Sequence, residues 1–150
     1  MTVTISGPAP ETFAAGGCTF RILDDGTPTS GRIGVVECAL APGWGGPPQH
    51  VHREHDEMFY VLTGTVRFAS GTEQLFATPG QLITAPMGDP HTFANPDPDA
   101  PASLLCTVTP ERYISYFREL ATLTPGSDGR LNPADVLELM SRYATEPARN

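Results

Sequence analysis

A chain of 150 residues, 39% of them apolar, can fill one core of ordinary size and is too short for two. The net charge is −8 and all nine basic residues are Arg, which excludes a broad cationic face for a phosphate backbone and makes nucleic acid an unexpected partner. With no Lys anywhere, Schiff-base chemistry and the phosphate-cradling Lys of a P-loop are excluded as well.

The 15 Gly and 16 Pro favour many short elements joined by tight turns, so an all-β core is the starting expectation. Cys18, Cys38 and Cys106 are odd in number and widely spaced, and residues 1–10 lack the charged start and apolar run of an export signal. Free thiols in a reducing, cytoplasmic setting are expected. No apolar run approaches the roughly 20 residues that span a bilayer, so no membrane partner is expected.

In chain order, residues 19–23 and 33–40 are apolar segments separated by the turn Asp24-Asp25-Gly26-Thr27-Pro28 and read as paired strands. Residues 41–48 spell APGWGGPP, a fixed irregular loop carrying Trp44. Residues 58–68 hold two β-rich runs around Thr63-Gly64-Thr65, and residues 73–76, 81–85 and 103–108 supply further strands, so 30–108 reads as antiparallel β. Beyond Thr109 the period changes. Thr109 as cap, Pro110 at the first helical position, and Tyr113, Ile114, Phe117, Leu120 and Ala121 at helical spacing predict a helix of about three turns. A second helix is predicted from Asn132-Pro133, with a stripe of Val136, Leu137, Met140 and Tyr143, followed by a frayed polar tail over 144–150. The layout is one domain, a barrel over about 1–108 with a helical extension over about 109–146.

Residues two apart in a strand share a face, so His50 and His52 can point together into the barrel. By the same alternation Glu57, Phe59 and Val61 share one face, and an inward carboxylate needs a compensating charge. A lone strand His is more often a surface or hydrogen-bonded residue, but two imidazoles beside a buried carboxylate suit a divalent Fe, Mn, Co, Ni or Zn ion. His91, after the turn Pro86-Met87-Gly88-Asp89-Pro90, is the candidate fourth ligand. His55 falls in the segment Arg53-Glu54-His55-Asp56, which reads as a solvated polar turn, and it is left out together with Asp56.

These residues match two motifs, and the chain resembles the cupin superfamily over about residues 43–95. The first motif runs Gly, five residues, His-x-His, three or four residues, Glu, six residues, Gly; His50, His52, Glu57 and Gly64 fit it, with Trp44 in place of the opening Gly. The second runs Gly, five residues, Pro-x-Gly, two residues, His, three residues, Asn, and is matched by Gly80, Pro86, Gly88, His91 and Asn95. The resemblance implies a jelly-roll (double-stranded β-helix) barrel holding a metal at one end, commonly dimeric, with C-terminal helices near the opening as in small bacterial cupins similar to quercetin 2,3-dioxygenases.

Cupins host many reactions, so the expected activity rests on the site. Four protein ligands leave room on an octahedral ion for a substrate oxygen beside dioxygen or water, which suits oxidative cleavage of a flavonol-like or other enolisable aromatic, with Glu57 as ligand and general base. Trp44, Phe59, Val61 and Phe93 are the expected substrate-binding residues, although ordinary core packing accounts for them equally well. Redox-neutral isomerisation, cyclisation or decarboxylation is the alternative, and a non-catalytic small-molecule binder the third reading. A homodimer is expected.

Overall fold

The computed structural model describes residues 3–7 and 10–149. Within them the alternating runs become eleven strands: β1 (Thr12–Ala15), β2 (Cys18–Asp24), β3 (Gly34–Leu40), β4 (His50–His52), β5 (Asp56–Thr63), β6 (Val66–Ser70), β7 (Glu73–Ala77), β8 (Leu82–Ala85), β9 (Thr92–Ala94), β10 (Ala102–Thr109) and β11 (Thr145–Pro147). Two helices, α1 (Ile114–Leu120) and α2 (Pro133–Ser141), stand between β10 and β11.

One antiparallel sheet has the order β1-β2-β3-β10-β5-β8; two smaller ones are β7-β6-β9 and β11-β4. The smaller two are stitched together where His50 and His91 exchange both backbone hydrogen bonds, at 3.0 and 2.9 Å, so β4 continues the layer begun by β9. The result is a jelly-roll β-sandwich, and no continuous ladder closes it into a barrel among the described residues.

Period two decides what lies between the layers. Along β10, Ala102, Leu104, Cys106 and Val108 are buried while their neighbours are partly exposed, and β3 repeats the pattern with Val36, Cys38 and Leu40. On β5 the inward set is Glu57, Phe59 and Val61, while Met58 and Tyr60 face outward, as alternation requires. Sealing a Leu or Phe of this core from water contributes about 1.5–3 kcal/mol each.

Two expectations at the C-terminal end are corrected. Pro110 does not open the first helix: the Glu111 N–H donates to Gly31 O and the Arg112 N–H to Pro110 O, and α1 begins only at Ile114, giving two turns instead of three. The tail is not frayed either. Residues 145–147 pair with β4, Thr145 opposite His52 and Pro147 opposite His50, and Ala148 N donates to Gln49 O at 2.9 Å; Asn150 lies outside the described residues. Residues of modest β-propensity are held here by an otherwise unpaired strand edge.

Helix α2 follows its sequence signals. Asn132 accepts from Ala134 N at 2.9 Å as the cap, Pro133 occupies the first turn, and Val136 and Met140 are buried, joined by Leu139, which lies outside the expected stripe. Helix α1 buries Ile114, Tyr116, Phe117 and Leu120, with the Phe117 ring 5.1 Å from that of Phe20 on β2.

Candidate metal centre and adjoining cavity

The site forms where the two layers meet. Strand β5 of the large sheet supplies Glu57; strand β4 supplies His50 and His52; His91 stands one residue before β9. A ligand atom from each of these four lies within 4.8 Å of the other three, and all four residues are at most 5% exposed. The four residues expected to hold a metal are thus brought together at one buried point.

The Nδ1 atoms of the three imidazoles are engaged by the surrounding chain, and Nε2 of His52 and of His91 faces Glu57. Nδ1 of His50 lies 2.8 Å from Pro48 O, Nδ1 of His91 3.2 Å from Asp89 O, and Nδ1 of His52 2.7 Å from the Thr145 hydroxyl. Inside, Glu57 Oε2 is 3.1 Å from His52 Nε2 and 3.0 Å from His91 Nε2. Burial, together with the nearby imidazoles, pushes His50 down to about 3, so it is neutral and able to ligate at physiological pH. His52 is lowered too, chiefly by burial. Burial would raise Glu57, but the surrounding histidines, His52 foremost, outweigh it and hold the carboxyl well below its usual range. For His91, burial is outweighed by the hydrogen bond and charge of Glu57, and it titrates above its ordinary value.

This donor set fits a divalent transition ion. Three imidazoles and one ionised carboxylate converge, and the buried Nε2 of His52 makes no well-aligned hydrogen bond, even to Glu57 Oε2 at 3.1 Å, which suits an atom that turns its lone pair to a ligand.

His55 corrects the sequence reading. Instead of lying in a solvated turn it is 1% exposed, with Nε2 3.5 Å from Glu57 Oε1, its ring 4.0 Å from that of His52 and 4.8 Å from that of Tyr113. The signal was present: residues 55, 57, 59 and 61 share one parity, so the alternation that turns Glu57 inward turns His55 inward too. Asp56, between them, faces the other way and accepts from Met87 N at 2.8 Å, which fixes the turn ahead of His91.

Beside Glu57 opens a cavity of about 470 Å³, walled on one side by the large sheet and on the other by the loop around Trp44 and by both helices. Trp44, Phe59 and Phe93 line it, along with Tyr113, Tyr116, Phe117 and Met140. Val61, expected among the lining residues, is instead fully buried in the core and outside the cavity wall. The rings of Phe59 and Phe93 stand 5.2 Å apart, and that of Trp44 5.5 Å from Phe93. Trp44 is fixed by its backbone, whose carbonyl accepts from Asn95 N at 2.9 Å, while the Asn95 side chain donates to Ala41 O and Ala100 O. Gly46 permits the close approach of this loop: at φ 82° a Cβ there would sit 1.9 Å from Phe93 O.

Residues 36–108 match the family described as the cupin domain. The fold is that of a cupin. Among solved structures, this chain is similar to the polyketide cyclase RemF from Streptomyces resistomycificus, at 24% identity over 73% of this chain and 80% of that one, TM-score 0.61. It also resembles an RmlC-like cupin from Shewanella frigidimarina, at 20% identity, 74% and 94% coverage and TM-score 0.61. A sugar phosphate isomerase from a cupin superfamily, from Silicibacter pomeroyi, is 28% identical over 62% of this chain, TM-score 0.55; this chain spans only 59% of its length. Comparison with curated proteins gives no match.

Proposed function

We propose that this cupin is a metal-dependent enzyme that binds one divalent transition ion through His50, His52, Glu57 and His91 and acts as a dioxygenase on a flat, enolisable aromatic molecule. The observation carrying this reading is the position of Glu57, which belongs both to the buried donor cluster and to the lining of an aromatic-rich cavity. When bound, the ion would acidify a substrate hydroxyl and bring it together with dioxygen. Phe59, Phe93 and Trp44 would hold the ring system, and the helices would keep bulk water away from it. A carboxylate held well below its usual range is a good ligand and a weak base, so Glu57 would take its proton only from a hydroxyl already made acidic by binding.

A sugar-phosphate substrate is disfavoured by the same lining, in which, among the described residues, the exposed Arg130, close in sequence to Asp128, is the one Arg side chain. A redox-neutral cyclisation or isomerisation is the second reading, and Tyr113 favours it. Its hydroxyl is buried at the cavity wall, and burial raises it well above its ordinary value, so it stays protonated over the working pH range and could offer a hydrogen bond to a substrate oxygen.

The test is anaerobic reconstitution with Fe(II), Mn(II), Co(II), Ni(II) or Zn(II), followed by an oxygen electrode and a panel of flavonols and other enolisable aromatics. Metal-dependent oxygen uptake with loss of substrate is expected; substrate turnover without uptake would replace the dioxygenase by the redox-neutral reading, and tight binding of unchanged ligand would leave a binding protein. Glu57→Gln is expected to lower turnover by about 10²-fold or more, and full activity in that variant would remove the general-base role.

A further inference from the structure

His50 and His91 each orient their ring through a main-chain carbonyl two residues earlier, an acceptor that no side-chain substitution removes. His52 is different. Its Nδ1 meets a side-chain hydroxyl 93 residues further along the chain, that of Thr145 on β11, at 2.7 Å. Thr145 is fully buried, stands directly opposite His52 in the β4–β11 ladder, and spends its own hydroxyl proton on Tyr143 O at 3.1 Å. Both contacts are hydrogen bonds at once in one arrangement, Thr145 donating to Tyr143 O and accepting from His52 Nδ1–H, which leaves the lone pair on His52 Nε2, aimed at Glu57 and the cluster.

We infer that Thr145 is a positioning residue for the candidate metal centre, fixing the tautomer and ring plane of His52 through the chain Tyr143 O, Thr145 hydroxyl, His52 Nδ1. The inference rests on the metal reading of the four-residue cluster. The placement is reinforced on both sides of the contact, since Arg53 N donates to Ala144 O at 2.9 Å and the Arg53 guanidinium pairs with Glu146 at 3.1 Å. The strand edge that receives β11 is the edge that carries two of the three cluster imidazoles, so ordering this segment and orienting His52 are one event. Partners of this kind typically account for 10- to 100-fold in metal affinity.

The experiment is a Co(II) titration against a competing chelator on the wild-type protein, Thr145→Val and Thr145→Ser. Valine keeps the shape and removes the acceptor; serine restores it. We expect the Val variant to bind about 10- to 100-fold more weakly and the Ser variant to lie within about threefold of wild type. Equal affinity in wild type and Val, or a Ser variant as weak as Val, overturns the positioning role. If the Val variant does not fold, Thr145→Ala is compared with Thr145→Ser, and equal affinity of those two overturns it likewise. A wild-type protein that takes up no Co(II) defeats the metal reading itself, an outcome distinct from the loss of the Thr145 effect alone.

Discussion

At the scale of single residues, the centre concentrates four buried imidazoles and a buried carboxylate within a few ångströms, and their roles divide by which nitrogen is already engaged. His50, His52 and His91 have Nδ1 engaged by the protein and belong to the four-residue cluster, whereas His55 presents its Nε2 to Glu57 Oε1 from outside it. His91→Ala and His55→Leu should therefore part company in metal content: the first is expected to lose bound metal on dialysis, the second to retain it. Since the His55 Nε2 is buried without a hydrogen-bond partner, the Leu variant should also match or exceed the wild type in melting temperature. Elemental analysis and a thermal melt on the two proteins check this; loss of metal in His55→Leu would make His55 a ligand. His50, His52 and Glu57 were legible because strand spacing puts them on inward faces, and His91 because it follows a Pro/Gly turn and falls at a fixed position of the second motif. His55 was missed because its polar neighbours Arg53, Glu54 and Asp56 pointed to a solvated turn, whereas it stands one residue ahead of β5 and keeps the inward parity of Glu57 and Phe59.

At the scale of elements, the strands were far easier to read than the ends of helices. Alternation over residues 34–40, 57–61 and 102–108 is visible in the residues themselves, because a half-buried strand must segregate its two faces. The pairing of β11 with β4 has no such local signature; it depends on a vacant strand edge distant in sequence, which no pattern within 144–150 encodes. The turn into β11 carries a backbone cost that can be measured. Ala144 sits at φ 49°, in the left-handed region that a Cβ disfavours by roughly 1–2 kcal/mol. Ala144→Gly is expected to raise the unfolding free energy by up to about 1 kcal/mol once the greater freedom of the unfolded Gly chain is subtracted. Denaturant melts provide the check, and a loss of stability would mean that the methyl group packs more than it strains.

At the scale of the whole molecule, one outer surface is less polar than a solitary sandwich requires. Met58 and Tyr60 on β5 and Leu82 on the edge strand β8 are 40–55% exposed, and Tyr60 stands directly opposite Leu82 in the ladder. This edge supports our proposal that two copies pair as a homodimer. Sedimentation of the wild type is expected to give twice the chain mass and that of Leu82→Arg to give a monomer; a monomeric wild type would dispose of the proposal. The layout also separates two kinds of change open to the protein over evolutionary time. Every donor in the buried cluster comes from the strands or the turn ahead of β9, while Tyr116, Phe117, Leu120, Val136 and Met140 of the helices wall the cavity and supply none. Substitutions on α1 and α2 can thus reshape what the cavity admits while the chemistry beneath stays intact, so that preference for a guest molecule is free to drift faster than reactivity.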